Sequence, residues 1–561
     1  MQQSRWRGSY PRRLPVLALT VVTLCGLPAV WNSQWMWIDD QIVVGGQLWP
    51  PESALNQSYH SMGREYIGHG LYLKFLSYVF PLQPFWYYFT NYLLHVCVIS
   101  LATWIVWQAT KSGLATVLCT LTAGFASTGP EVFLTLFKHE LPMTLWLLVA
   151  LLLVQDLMQT ERRRCTGKLV ALTAATFLSG ILGKENFVVL PIGLAGGLIC
   201  AALITRRPKL PGHLFAAVLF TFIGAAAVFV ERYLVGTYSI ADGGYTGSLF
   251  VFYPTLATSL ERARLYEFQA GDVVALVIIA ALACGGSLIV ATLRKRGLTA
   301  AQIVSITCAV AAATQVLFSL VFLSWVQVYY LYPAAILTTI SLGCLWPAGS
   351  PQSGSIRGIL FCRFGLSVVL VATMILTLPT FALRLYAQNA VQTLEWRLIT
   401  AIGTMPPHSL VLLGFPPDAE MIENTGLLLR RVLDRSDIAL GSAFDPGTAT
   451  QLSKAYTERR PVFLAFVHSP SGNSKIGGRG IAQKSRTEIL TMAAANGIEY
   501  VCPDLQETLG PWEITVTRVD FKLPPIMTIR FGYGWELDRL LPPSVAVPGC
   551  GSAEPSETRD E

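Results

Sequence analysis

The sequence predicts a polytopic α-helical membrane protein of about eleven transmembrane helices, carrying a small α/β domain at its C-terminal end. Three observations predict it. Apolar runs long enough to cross a hydrocarbon core of about 30 Å recur from Leu14 to residue 380. Of the 561 residues, 53% are hydrophobic and only 13% charged, where a soluble domain carries about 25%. From residue 381 to 540 the composition turns ordinary, and short apolar runs alternate with helix-like stretches.

The first element is "RWRGSYPRRLPVLALTVVTLCGLPAVW", a basic head followed by an apolar run. No small-residue cleavage site precedes Asn32, so a retained helix from Leu14 to about Trp31 is expected, behind a cytoplasmic segment 1–13. Further spans are expected at 85–108, 114–129, 141–158, 169–183, 187–204, 213–230, 273–293, 301–323, 331–347 and 364–380, making a transmembrane domain over 14–380 with a first outer loop at 34–84. In the C-terminal domain, "SLVLLGF", "PVFLAFV", "IEYVC" and "EITVTRV" read as strands, and "EMIENTGLLLRRVL" and "TEILTMAAANG" as helices. The loop "HSPSGNSKIGGRG" lacks the spacing of a phosphate-binding loop. The Pro/Ser/acidic tail 541–561 reads as disordered.

Charge sets the orientation. The net charge of +7 is not a nucleic-acid footprint, because the basic residues fall in short clusters between apolar runs. Lys111, Arg162–Arg164, Arg206–Arg207, Arg294–Arg296, Arg357 and Arg363 all fall in alternate loops, on the side of the N-terminus. That side is therefore expected in the cytoplasm and the C-terminal domain outside it, in a cell inner membrane. Most of the eleven cysteines lie within apolar runs and read as small buried hydrophobes; Cys502 and Cys550 stand in polar sequence of the C-terminal domain and its tail.

The opposite loops hold the unusual groups: Asp39 and Asp40 of "WIDDQ", Arg64, His69, Glu131, Lys138–His139–Glu140, Lys184–Glu185 of "GKEN", and Arg232. From Lys168 to Lys184 a helix rises only about 24 Å, short of the hydrocarbon core. Lys184 and Glu185 then lie below the outer surface, either in a polar cavity or as a local pair with the lysine snorkelling. A transporter would place ionisable groups along a path near the bilayer midplane, with internal repeats; no half-to-half repeat is visible, and the charges gather at one face. An enzyme acting on a lipid-linked substrate needs that asymmetry, since the reactive headgroup lies at the interface. Sugar transfer from a polyprenyl phosphate needs one carboxylate to take the proton of the attacking hydroxyl and Lys or Arg to hold the departing phosphate.

These residues resemble the GT-C fold glycosyltransferases, membrane enzymes that use dolichyl- or undecaprenyl-phosphate sugars and carry an acidic pair just after the first span, matched here by "IDDQ". More closely the chain is similar to the transmembrane and tetratricopeptide-repeat O-mannosyltransferases. "YIGHGLYLKFLSYVFPLQPFWYYFTNYLLH" matches their Asn-Pro and Asn-x-Leu-Leu-His stretches at Gln83–Pro84, Asn91 and His95. "PEV" matches their Glu-x-Val at Glu131, "GKENFVVLP" their Lys-Glu at Lys184 and Glu185, and "ERYLVG" the arginine of their large outer loop at Arg232. The resemblance covers residues 14–240, and beyond them only the hydropathy pattern matches. His69 stands where those proteins have Arg, "KHE" replaces a Gly-Arg-x-Asp-like stretch, and no tetratricopeptide repeats follow, so protein O-mannosylation does not carry over.

The resemblance implies an inverting transferase with Asp39 as base and Asp40 either orienting it or binding a metal or hydroxyl. Lys184 and Arg232, with Arg64 and His69, would bind the donor phosphate. Glu131, Lys138, His139, Glu140 and Glu185 would support the site or bind the acceptor, a glycan, lipid or protein; a divalent metal is compatible with this set and no other cofactor is implied. Against these roles stand solvent-exposed helix-flanking acids for the pair, and snorkelling for the cations. His95, on an apolar face, reads as a satisfied buried histidine, and "FWYYFTNY" (85–92) as an interfacial aromatic belt. A transporter or flippase of lipid-linked saccharides is the alternative function, and a non-catalytic scaffold a third.

Overall fold

In the computed structural model the described residues are 10–36, 67–136, 138–158, 166–183, 189–204, 210–234, 256–293, 298–322, 328–346, 356–413, 419–442, 461–468, 505–507, 513–516 and 519–522, with a few positions between 451 and 460. They fall into two compact units, one within Met1–Gln34 and Ile42–Ala390, the other within Trp35–Gln41 and Val391–Glu561.

The first unit is helical. Its elements are α1 (Tyr10–Trp31), α2 (Ile67–Val79), α3 (Pro84–Thr110), α4 (Gly113–Gly124), α5 (Gly129–Phe133), α6 (Glu140–Leu157), α7 (Thr166–Ile181), α8 (Val189–Ile204), α9 (Leu210–Leu234), α10 (Leu256–Leu293), α11 (Ala300–Phe322), a 3-10 turn (Val328–Leu331), α12 (Tyr332–Cys344) and α13 (Ile356–Gly403), the last running on into the second unit. Among the described residues six stretches, on α1, α3, α6, α10, α11 and α13, are long and apolar enough to cross a membrane. Five shorter apolar helices accompany them among the described residues. Apolar side chains at Leu17, Leu24, Trp104, Leu203, Phe215, Leu282 and Phe361 are exposed, as helices solvated by lipid require.

The ends of several elements differ from the apolar runs that predict them. The expected span 114–129 stops at Gly124, and the chain turns through Phe125–Thr128 into α5, where Pro130 occupies the first turn and needs no N–H. The expected span 331–347 begins as a 3-10 turn. Helix α10 starts at Leu256, well before its apolar run, and α13 continues past Pro379 to Gly403, because backbone bonding does not stop where hydropathy does.

Small residues let these helices approach closely. A Cβ on Gly197 would lie 2.5 Å from the Thr307 Cα and one on Gly193 2.7 Å from the Ala311 Cα, so α8 and α11 meet backbone to backbone. Where α1 meets α3, Tyr92 Oη donates to the carbonyls of Thr23 (2.6 Å) and Val22 (3.1 Å).

The second unit contains a six-stranded mixed sheet in the order β2-β1-β3-β5-β6-β4, from β1 (Leu410–Leu413), β2 (Ala439–Ser442), β3 (Val462–His468), β4 (Leu505–Glu507), β5 (Glu513–Val516) and β6 (Val519–Lys522). Strands β2, β1 and β3 are parallel, and β5 is antiparallel to both β3 and β6. Helix α14 (Ala419–Val432) connects β1 to β2. The stretches "IEYVC" and "TEILTMAAANG" lie outside the described residues.

Candidate active site

One end of the helical unit brings together several polar side chains from helices distant in sequence. There Trp31 at the end of α1 meets Phe85 at the start of α3, ring centroids 5.2 Å apart. Asn91, nearly two turns further along α3 and buried, accepts from Tyr72 Oη of α2 (3.1 Å) and donates to the Thr135 carbonyl (3.3 Å). That amide ties the segment following α5 to two helices. Deeper on the same face, His95 Nδ1 lies 2.8 Å from Tyr332 Oη, and its ring packs against Phe133 and Tyr92. His95 is thus a hydrogen-bonded member of the core. The aromatic run divides: Trp86 is partly exposed and stacks on Phe80 (centroids 5.7 Å apart), while Tyr87, Tyr88 and Tyr92 are buried.

Two of the expected site segments stand at this end. Glu131 lies half-buried in the first turn of α5, where a carboxylate favours the positive end of the helix. Lys138, His139 and Glu140 lead into α6, and all three are buried, Lys138 to 2% exposure. Lys138 Nζ sits 3.7 Å from the centroid of the Tyr329 ring in the 3-10 turn, a cation–π contact strengthened by the exclusion of water. His139 is the N-terminal boundary residue of α6, and its Nδ1 is 3.3 Å from the Leu182 carbonyl at the end of α7. A cation, an imidazole and a carboxylate on consecutive residues thus enter the bundle where α5, α6, α7 and the 3-10 turn meet. Charged groups are costly there and are kept where they bind or pair with something.

The remaining site residues are not placed in this way. Asp39, Asp40, Arg64, Lys184 and Glu185 lie outside the described residues. His69 is in the first turn of α2, and Arg232 in the last turn of α9. Among the described residues no group of three or more His, Cys, Asp and Glu side chains is placed to hold a metal ion; Glu131, His139 and Glu140 form no such set.

Other polar groups at this end escaped the sequence reading. Arg384 of α13 is buried, and its Nη1 donates to the Ser127 carbonyl (2.9 Å) in the turn before α5. Asp272, at the head of the apolar part of α10, is buried as well. Each is one charged residue beside a long apolar run, "FALRLY" and "AGDVVAL". That signal was available; its target was not.

No protein-family model matches this chain, and no curated protein matches it. Among solved structures, ArnT from Cupriavidus metallidurans bound to undecaprenyl phosphate is similar over 81% of this chain and 93% of that one, at 13% identity and a TM-score of 0.45. The same protein in its apo state is similar over the same shares, at 12% identity and a TM-score of 0.45.

Proposed function

We propose that this protein is a GT-C-type membrane glycosyltransferase that moves a sugar from a polyprenyl-phosphate donor to an extracytoplasmic hydroxyl, with inversion. The observation that carries the reading is the burial of Lys138, His139 and Glu140 at the one end of the bundle that also receives Glu131 and the Tyr329 turn. It is joined by the order of sequence motifs from "IDDQ" to "ERYLVG". Asp39 takes the proton of the acceptor hydroxyl. The acceptor oxygen attacks the anomeric carbon as the bond from that carbon to the phosphate oxygen breaks, and the polyprenyl phosphate leaves as an anion. No acid is needed for that leaving group, so cations do the remaining work: Lys184 and Arg232, with Arg64 and His69, hold the phosphate. Lys138 adds a buried positive charge at the same end, and the C-terminal unit selects the acceptor.

The test compares purified wild type with Asp39→Asn, each incubated with labelled polyprenyl-phosphate sugars and a cell-envelope extract. Wild type is expected to transfer label, and the variant to lose about 100-fold or more of that rate. Transfer that survives the substitution removes Asp39 as base. No transfer from any donor, with movement of the lipid across liposomes, replaces the enzyme with a transporter.

A further inference from the structure

Asp272 does nothing in the mechanism above, yet it is only 8% exposed, and neither carboxylate oxygen has a hydrogen-bond partner among the described residues. It begins a ridge of every fourth residue, Asp272, Leu276, Ala280 and Cys284, all buried. The ridge can be followed inward to a fixed point. Cys284 Sγ lies 3.2 Å from Ser305 Oγ and 3.4 Å from Ser341 Oγ, a layer shared by α10, α11 and α12. Asp272 stands twelve residues before Cys284, or about 18 Å along the axis. Helix α11 runs the other way, and ten residues beyond Ser305 it carries Gln315, about 15 Å from the same layer.

Gln315 is 1% exposed; its Nε2 donates to the Tyr330 carbonyl, while its Oε1 is buried with no partner among the described residues. Asp272 and Gln315 are therefore at nearly one height on adjacent helices, and α10 also packs against the 3-10 turn on which Lys138 rests.

Buried acceptors without donors are disfavoured unless something supplies the donors. A cation is the poorer candidate, since Lys138 already places a positive charge at this end. Neutral hydroxyl groups satisfy a carboxylate and an amide oxygen together. The outward sides of the same two helices, at Ile278, Leu282 and Leu317, are exposed, so one helix thickness separates these acceptors from surface that faces lipid, the phase from which a lipid-tethered sugar arrives. Resting on the function proposed above, we infer that Asp272 and Gln315 bind ring hydroxyls of the donor sugar and make the site selective for the sugar-bearing lipid over the bare lipid phosphate.

The full-length protein in detergent, as wild type, Asp272→Leu, Asp272→Asn and Gln315→Leu, is titrated with undecaprenyl phosphate and with undecaprenyl-phosphoryl glucose, galactose and mannose. Wild type is expected to prefer at least one sugar-bearing lipid. Asp272→Leu should reduce that preference by about 10- to 100-fold, with the affinity for undecaprenyl phosphate unchanged. Gln315→Leu should reduce it less. Asp272→Leu and Asp272→Asn should also melt no lower than wild type, since each removes a buried carboxylate whose oxygens have no hydrogen-bond partner among the described residues. If every lipid binds and the preference is the same in all four proteins, or if the bare lipid phosphate weakens equally, the sugar-contacting role is overturned while the transferase reading stands. If no lipid binds wild type, the transferase reading falls and this one with it.

Discussion

The helical bundle and the sheet unit handle charge in opposite ways. In the bundle Lys138, Glu140 and Arg384 are buried, and each must find its interactions within the protein. In the sheet unit a charged pair sits near the surface and acts as a clasp. Arg435 Nε and Nη2 donate to both carboxylate oxygens of Asp437 (2.7 and 2.9 Å), and the guanidinium also reaches the carbonyls of Gly403 and Met405. Asp437 in turn accepts from the His408 amide, 3.1 Å away, at a residue whose φ of 61° is left-handed. The clasp shapes the turn into β1. Water can replace much of what such a pair provides, so it is worth little. Nothing replaces a lost partner inside the bundle, so there a charge is kept for a purpose or relieved by a ligand.

The sharpest way to break the contrast is to disturb the bundle where no charge is involved. Gly197→Val would drive a side chain into the Thr307 backbone, 2.5 Å away from its first carbon. Backbone cannot yield as a flexible side chain does, so a loss of about 3 kcal/mol or more is expected, read as a lower melting temperature in detergent. Gly196→Ala on the same helix, where the added carbon meets only Val310 at an ordinary 3.7 Å, should be near neutral.

Lys138→Met separates binding from packing. The methionine keeps the length against Tyr329 and loses the charge; sugar transfer should fall about 100-fold while the melting temperature changes little. Retained transfer would reduce Lys138 to a packing role.

The smallest effect is expected in the sheet unit. The Arg435 hydrogen bonds hold the Asp437 carboxyl well below the usual carboxylate range. A depressed carboxyl contributes stability that is fully present above its unfolded value, about 3.9, and that is lost as the pH falls through the lower folded value. The melting temperature of wild type should therefore decline below about pH 4 slightly more steeply than that of Asp437→Asn. Identical slopes would show the clasp to be inert.

Much of the architecture was legible because lipid imposes a simple rule: a segment that crosses it must be apolar for about twenty residues and helical throughout. The runs at 85–108, 141–158 and 301–323 each became one helix within a residue or two. The strands "SLVLLGF" and "PVFLAFV" were readable by the same logic of short apolar runs. Less readable was the turn after Gly124, where an uninterrupted hydropathy signal hides a change of direction. At the candidate site, Glu131 and Lys138–Glu140 could be singled out by their chemistry, and the fold brought them to one end. Asp272, Gln315 and Arg384 could not be assigned to that end, because their neighbours come from helices far away in sequence.

By itself, the sequence determined which stretches are helices suited to lipid and which residue types are too costly to sit among them without cause. Hydropathy and charge are properties of each residue, summed locally. Only the tertiary structure decided which of those residues share an end of the bundle: that Lys138 rests on Tyr329, that His95 is a core residue hydrogen-bonded to Tyr332, and that Asp272 and Gln315 hold acceptors unmatched among the described residues. Partnership depends on how helices cross, and the crossings are set by contacts between backbones, such as Gly197 against Thr307, that no single segment encodes.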